Sequence, residues 1–191
     1  MEIHKTDQIT SERWLNLFVR TYRHQEHHGR WVFASRQKAP QVPASGFDAV
    51  VIVPVVLQEG QPPRLVLIKE FRVPVGDYVY GFPAGLAEPG ESIESVARRE
   101  LKEETGLEVL DILKISPPVY NTAGMSDEAV VMAFVTARPS ADNLQALEAT
   151  EEISVLRLDH GEVCQLCNSP ARFDGKTWVV LHMYQQMGKL V

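Results

Sequence analysis

The chain has 191 residues and a formal net charge of -6, room for one domain with a buried core or a domain plus a small attachment. That acidity argues against nucleic acid as a partner, because backbone binding relies on Lys and Arg to neutralise phosphates. It leaves open a small phosphorylated ligand whose charge a divalent metal offsets. The longest strongly apolar run, Ala49 to Leu57, is too short to cross a bilayer, so no membrane association is expected. The first residues, MEIHKTDQITSERW, hold no apolar leader core, and only two cysteines occur, Cys164 and Cys167. A cytoplasmic protein is the reading that fits.

Along the chain, Trp14 to Ala39 reads as two or three strands interrupted by a polar turn from His24 to Arg30. Pro40 to Gly46, with two prolines, a serine and a glycine, suits a linker. A boundary there divides the chain into a small N-terminal β subdomain, residues 1–44, and a main domain, residues 45–191. Strands are then expected over Asp48 to Leu57, Arg64 to Phe71 and Tyr78 to Phe82. Ser92 to Thr105 reads as a helix. Ile93, Val96, Ala97 and Leu101 recur at helical spacing, Ser92 is placed to cap the start, and Gly106 stands where the helix should stop. Further strands are expected at Val109 to Ser116, Ala129 to Thr136 and Ile153 to Leu158. Helices are expected near Glu162 to Cys167 and from Gly175 to Met187. Mixed strands flanked by helices imply a layered α/β architecture.

The helix carries the chemistry. Glu100, Glu103 and Glu104 stand at i, i+3 and i+4, on one helical face. Like charges so placed repel, and near a helix C-terminus the macrodipole disfavours them as well. Local stability therefore gives no reason for the cluster, whereas Mg²⁺ does, because carboxylate oxygens are its preferred protein ligands. A bare E-x-x-E-E is more often a solvated acidic face; the surrounding text decides the matter. From Gly85 to Leu107 the residues Gly85, Glu91, Arg99, Glu100, Leu101, Glu103, Glu104, Gly106 and Leu107 match every fixed position of G-x5-E-x7-R-E-U-x-E-E-x-G-U, where U is aliphatic.

That segment resembles the signature of the Nudix hydrolase family. The resemblance implies a Nudix fold, an α/β/α sandwich with a mixed β-sheet, here with a small N-terminal antiparallel β subdomain added. It implies Mg²⁺, with Mn²⁺ able to substitute, held by Glu100 and Glu104 with Glu103 assisting. The backbone carbonyl of Ala84 is a further ligand by analogy with relatives that cleave ADP-ribose. Arg99 and Glu91 would orient the loop and the carboxylates. The general base in those relatives lies on a loop after the signature. Here LEATEEI, Leu147 to Ile153, offers Glu148, Glu151 and Glu152, of which Glu151 and Glu152 abut the next strand.

The upstream text LVLIKEFRVPVGDYVYGFPAGL resembles the ADP-ribose and nucleoside-diphosphate-sugar pyrophosphatase branch. That branch would place Arg72 near a substrate phosphate and use Trp31 or Phe33 to stack on a base, within a homodimer built by the N-terminal strands. The expected reaction is hydrolysis of a pyrophosphate bond in ADP-ribose, giving AMP and ribose 5-phosphate, or in another nucleoside-diphosphate sugar. One departure weakens the ADP-ribose choice: Ala123 occupies a position that is often proline in such enzymes. The alternatives are a Nudix enzyme acting on nucleoside triphosphates or dinucleotides, or a module that senses a nucleotide without cutting it. Cys164 and Cys167 with distant histidines are weak grounds for zinc, and Ser126 lacks the strand-turn-helix setting of a nucleophile.

Overall fold

The computed structural model describes residues 1–42, 46–142, 144–147 and 149–190. Two compact units emerge: Met1–Ala49 with Pro117–Val131, and Val50–Ser116 with Met132–Val191.

In the first unit, β1 (Glu2–Gln8), β2 (Asn16–His24) and β3 (His27–Ser35) form an antiparallel sheet in that order. Strand β1 is absent from the sequence expectation because EIHKTDQ shows no apolar alternation; most of its side chains are exposed. The β2–β3 connection is also tighter than expected. It turns at Gln25 and Glu26, with Gln25 at φ 55°, and His27 to Arg30 belong to the strand. Polar side chains there suit an exposed strand end as well as a turn. Phe18 and Phe33, directly paired across β2 and β3, are both buried with ring centroids 5.9 Å apart.

The same unit includes a distant stretch of chain. The Ala34 N–H donates to the Met125 carbonyl at 2.8 Å, the Ser35 hydroxyl to Asp127 at 3.0 Å, and the Arg36 Nε to Glu128 at 2.8 Å. Buried Ser35 and Asp127 thereby satisfy each other.

The larger sheet is built from β4 (Ala49–Val56), β5 (Arg64–Arg72), β8 (Leu107–Ile115), β10 (Ala129–Pro139) and β11 (Ile153–Leu158), ordered β11-β5-β4-β10-β8. Three short strands join it: β6 (Asp77–Gly81) on β5, β7 (Ala84–Leu86) on β4, and β9 (Val119–Tyr120) on β10. Val50 to Val53 and Leu65 to Ile68 are buried without alternation, as befits strands covered on both faces. With three helices beside this sheet, the fold is the expected α/β one with a mixed sheet, plus the small N-terminal antiparallel sheet.

Helix α1 (Ile93–Thr105) begins where the Ser92 hydroxyl accepts the Ser95 N–H. It ends at Gly106, φ 68°, whose N–H reaches the Lys102 carbonyl at 2.9 Å. Its buried face is Val96, Ala97, Leu101, Glu104 and Thr105. A glutamate is thus drawn into the core side of the helix. Helices α2 (His160–Cys167) and α3 (Gly175–Met187) start at Asp159 and Asp174, each capping with its own carboxylate. No helix among the described residues is long and apolar enough to cross a membrane.

Candidate active site

The residues around the glutamates of α1 lie within the second unit. Strand β7 runs beside the last turns of α1, and the contact is intimate: the Ala84 N–H donates to Glu104 Oε2 at 3.0 Å. A Cβ built on Gly85 would land on the Glu100 carboxylate, so the side chain of Glu100 has its place only because that residue is glycine.

Arg99 ties the loop before α1 to the helix. Its guanidinium donates to Glu91 at 3.1–3.2 Å, to Glu100 Oε1 at 2.5 Å, to Glu103 Oε2 at 3.4 Å and to the Leu86 carbonyl at 3.2 Å. Glu91 also accepts from the Glu88 N–H and the Ser95 hydroxyl. Hydrogen bonds from Arg99 first of all, with these others, hold the Glu91 carboxyl down at about 2.

The three glutamates share a side of the helix but not an environment. Glu103 is the most open, with its side chain 45% exposed. Glu100 is partly buried, and burial raises its carboxyl against the lowering pull of Arg99. Glu104 is 6% exposed. Burial pushes it to about 8, opposed by the Ala84 N–H and reinforced by the charges of Glu100, Glu70 and Glu151. An acid so raised marks a place where negative charge is concentrated and undercompensated.

Glu70 on β5 was not singled out from sequence, yet it belongs to this group. It is largely buried, its carboxyl is raised by desolvation, and it feels Glu151. It pairs with Arg72, Nη2 to Oε2 at 2.9 Å, whose own side chain is half-exposed. The available signal was an acid two residues after the buried apolar run Leu65 to Ile68.

Of the loop glutamates, Glu148 lies outside the described residues. Glu151 acts electrostatically on Glu70, Glu100 and Glu104. Glu152 accepts a hydrogen bond from the Tyr78 hydroxyl, which raises the phenol above its ordinary value. The same loop is tied to the end of α1: the Ala146 N–H donates to the Glu103 carbonyl at 2.7 Å and Gln145 Nε2 to the Glu104 carbonyl at 2.6 Å.

Carboxylate and carbonyl oxygens are the hard donors that Mg²⁺ takes, usually one or two from protein with the rest from water and phosphate. Glu100, Glu104 and the neighbouring Ala84 backbone supply such donors. Among the described residues no three His, Cys, Asp or Glu side chains are grouped so as to hold a metal ion by themselves; a site that shares its cation with water and phosphate takes only one or two ligands from protein side chains.

The first unit holds a separate feature, a cavity of about 430 Å³ whose lining includes Arg20, Tyr22, Trp31, Phe33, Tyr120 and Asp127. Trp31 and Phe33 differ sharply here. Trp31 is 52% exposed, its indole N–H bound to the Gly124 carbonyl at 3.0 Å. Phe33 is 6% exposed, packed by Phe18 and covered by the Arg20 guanidinium 4.4 Å from its centroid. Both are candidates for stacking on a base, and Trp31 is the more exposed of the two.

A family model described as the NUDIX domain matches residues 46–176. The chain is 40% identical over 89 residues to a Mus musculus ADP-sugar pyrophosphatase, a match that covers 47% of this chain and 40% of that one. It thus spans well under half of that relative's length. An ADP-ribose pyrophosphatase of Bacillus subtilis (strain 168) is 30% identical over 135 residues, 71% of each chain. Among solved structures, an ADP compounds hydrolase superposes with a TM-score of 0.65 over 97% of this chain and 94% of that one. At 20% identity that likeness speaks for the fold.

Proposed function

Because the chain belongs to the Nudix domain family, we propose that it is a Mg²⁺-dependent pyrophosphohydrolase acting on ADP-ribose or a related nucleoside-diphosphate sugar. The observation that carries this reading is the buried, undercompensated carboxylate of Glu104 beside Glu100, on a helix anchored by the Arg99–Glu91 pair. Relatives named for ADP-ribose and ADP-sugar cleavage support the substrate class.

In this reading Glu100, Glu104 and the Ala84 carbonyl hold the metal, with Glu103 assisting from its more open position. Bound Mg²⁺ neutralises the phosphate oxyanions that repel a nucleophile and acidifies water. Arg99 fixes Glu100 in place, and Glu91 fixes Arg99. Arg72 meets a substrate phosphate, exchanging its present pair with Glu70 for it. Glu151 takes the proton from the attacking water, since among the described loop glutamates its charge is felt by the helix carboxylates.

Base recognition falls to Trp31, the more exposed of the two candidate stacking residues. Trp31→Ala is expected to raise KM for ADP-ribose by about tenfold to a hundredfold, from the 1–3 kcal/mol that stacking typically contributes, while kcat stays near wild type. Steady-state kinetics checks this. The exposed apolar side chains Trp14, Leu15, Leu17 and Val32 of the same unit are covered, in this reading, by a second copy in a two-fold pair. Light scattering should therefore give a dimer at micromolar concentration.

Gly85→Ala is expected to displace Glu100 and weaken Mg²⁺ affinity by about tenfold to a hundredfold, measured by calorimetric titration. The function itself is tested by incubating the protein with Mg²⁺ and a panel of ADP-ribose, sugar nucleotides, dinucleotides and nucleoside triphosphates, with products identified. Metal-dependent release of nucleoside monophosphate from a diphosphate sugar is the expected result. Release of nothing, or only of pyrophosphate from triphosphates, would overturn the proposal.

A further inference from the structure

We propose that Tyr78 is a positioning residue for the proton-abstracting loop: by pinning Glu152 on one face of the sheet it holds Glu151 on the other, toward the carboxylates of α1. The inference rests on the assignment of Glu151 as the base and adds how the fold aims it.

The register makes the case. On one side of β5, Ile153 pairs with Glu70; on the other, Val79 pairs with Glu70, Tyr78 with Phe71 and Asp77 with Arg72. Directly paired residues share a face of a sheet, and successive residues alternate between faces. Glu70, Ile153 and Val79 therefore occupy one face, and Phe71 and Tyr78 the other. The ladder between β11 and β5 stops at Ile153. Carried one residue back, its alternation puts Glu152 on the face of Phe71 and Tyr78. Carried two back, it puts Glu151 on the face of Glu70.

The placement of Glu152 agrees with an independent contact, and that of Glu151 with the carboxyls its charge acts on. Glu152 accepts from the Tyr78 hydroxyl, whereas Glu151 raises the carboxyls of Glu70, Glu100 and Glu104. Thus the Tyr78–Glu152 bond extends the strand's alternation one residue past the last backbone pair. One glutamate is spent as an anchor so that its neighbour faces the site.

Tyr78 is itself well held. Phe71 packs edge-on against its ring at 5.4 Å, and Lys69 Nζ lies 4.8 Å from its centroid. Lys69 pairs with Tyr80, two residues from Phe71, and so stands on this same face. At the loop's other end, Gln145 and Ala146 bind the last turn of α1, and Gln145 also reaches the Ile153 carbonyl at 3.4 Å. Contacts thus hold Gln145 and Ala146 on one side and Glu152 on the other, and that of Tyr78 is the one nearest Glu151 in sequence.

The test uses the full-length protein with Mg²⁺ and ADP-ribose. Tyr78→Phe removes the donor and Glu152→Ala the acceptor; each is expected to lower kcat about tenfold by misplacing Glu151, with KM little changed. The double variant should be no worse than either single one, because both remove the same bond. Glu152→Gln retains an acceptor oxygen for the phenol and should keep most of the activity, while Glu151→Gln should lose it. Thermal melting of each variant confirms folding, and the exposed Glu152 site serves if Tyr78→Phe melts early. Glu152→Gln as inactive as Glu152→Ala would make Glu152 the base and overturn the proposal. Wild-type kcat in Tyr78→Phe and Glu152→Ala, with Glu151→Gln inactive, would overturn the positioning role alone. An active Glu151→Gln would remove the base assignment and the positioning role together.

Discussion

Replacing Glu104 by Gln is expected to lower kcat about a thousandfold, on the order of 4 kcal/mol of barrier, while leaving a folded protein. The amide retains the oxygen that accepts the Ala84 N–H, and its shape fits the same buried space. What it lacks is the negative charge. In the metal-free protein that charge is a burden, since burial raises the carboxyl from an ordinary 4.5 to about 8. The sign follows directly. Between those two values the folded state binds a proton that the unfolded chain has released, so metal-free stability falls as pH rises from about 4.5 through 8. Glutamine does not titrate. In EDTA above pH 8 the variant should melt higher than wild type, and Mg²⁺ should raise the melting temperature of wild type more than that of the variant. Activity close to wild type with ordinary Mg²⁺ dependence would remove Glu104 from the metal site.

That contrast between stability and activity also shows what a sequence can and cannot display. The helix was legible from local features: a capping serine at 92, apolar residues at helical spacing, and Gly106 to end it. The same periodicity placed Glu100, Glu103 and Glu104 on one side. It could not rank their depth, because that depends on β7 lying against the last turns of α1, which buries Glu104 and leaves Glu103 open. Glu70 was missed for a related reason. It approaches the group only through a fold that brings β5 next to the loop before β11, more than 80 positions along the chain. Strand β1 escaped notice because a polar exposed strand carries no alternation to read. Trp31 and Phe33 sit two apart on β3 and therefore on one face, so pattern alone could not separate them; packing by Phe18 and Arg20 does. Likewise no local signal announces that Met125 and Asp127 bind Ala34 and Ser35.

Glu151→Gln is the other change with a large expected effect, a fall in kcat of about a hundredfold to a thousandfold, in the range typical of losing a general base. The substitution leaves Glu100 and Glu104 in place, so Mg²⁺ affinity and KM for ADP-ribose should stay close to wild type. That split separates it from the metal-site variants, which lose affinity for the cation as well. Removing a charge that raises the carboxyls of Glu70 and Glu104 also relieves repulsion, so the folded state should not suffer. The lost rate should return in part as pH rises, because hydroxide attacks without needing its proton removed. Glu103→Gln provides the internal comparison: it neutralises a carboxylate on the same helix, but the one most open to solvent, and should cost less. Full activity in Glu151→Gln across the pH range would place the base elsewhere and leave the electrostatic link between this glutamate and the helix as a feature of the fold rather than of the reaction.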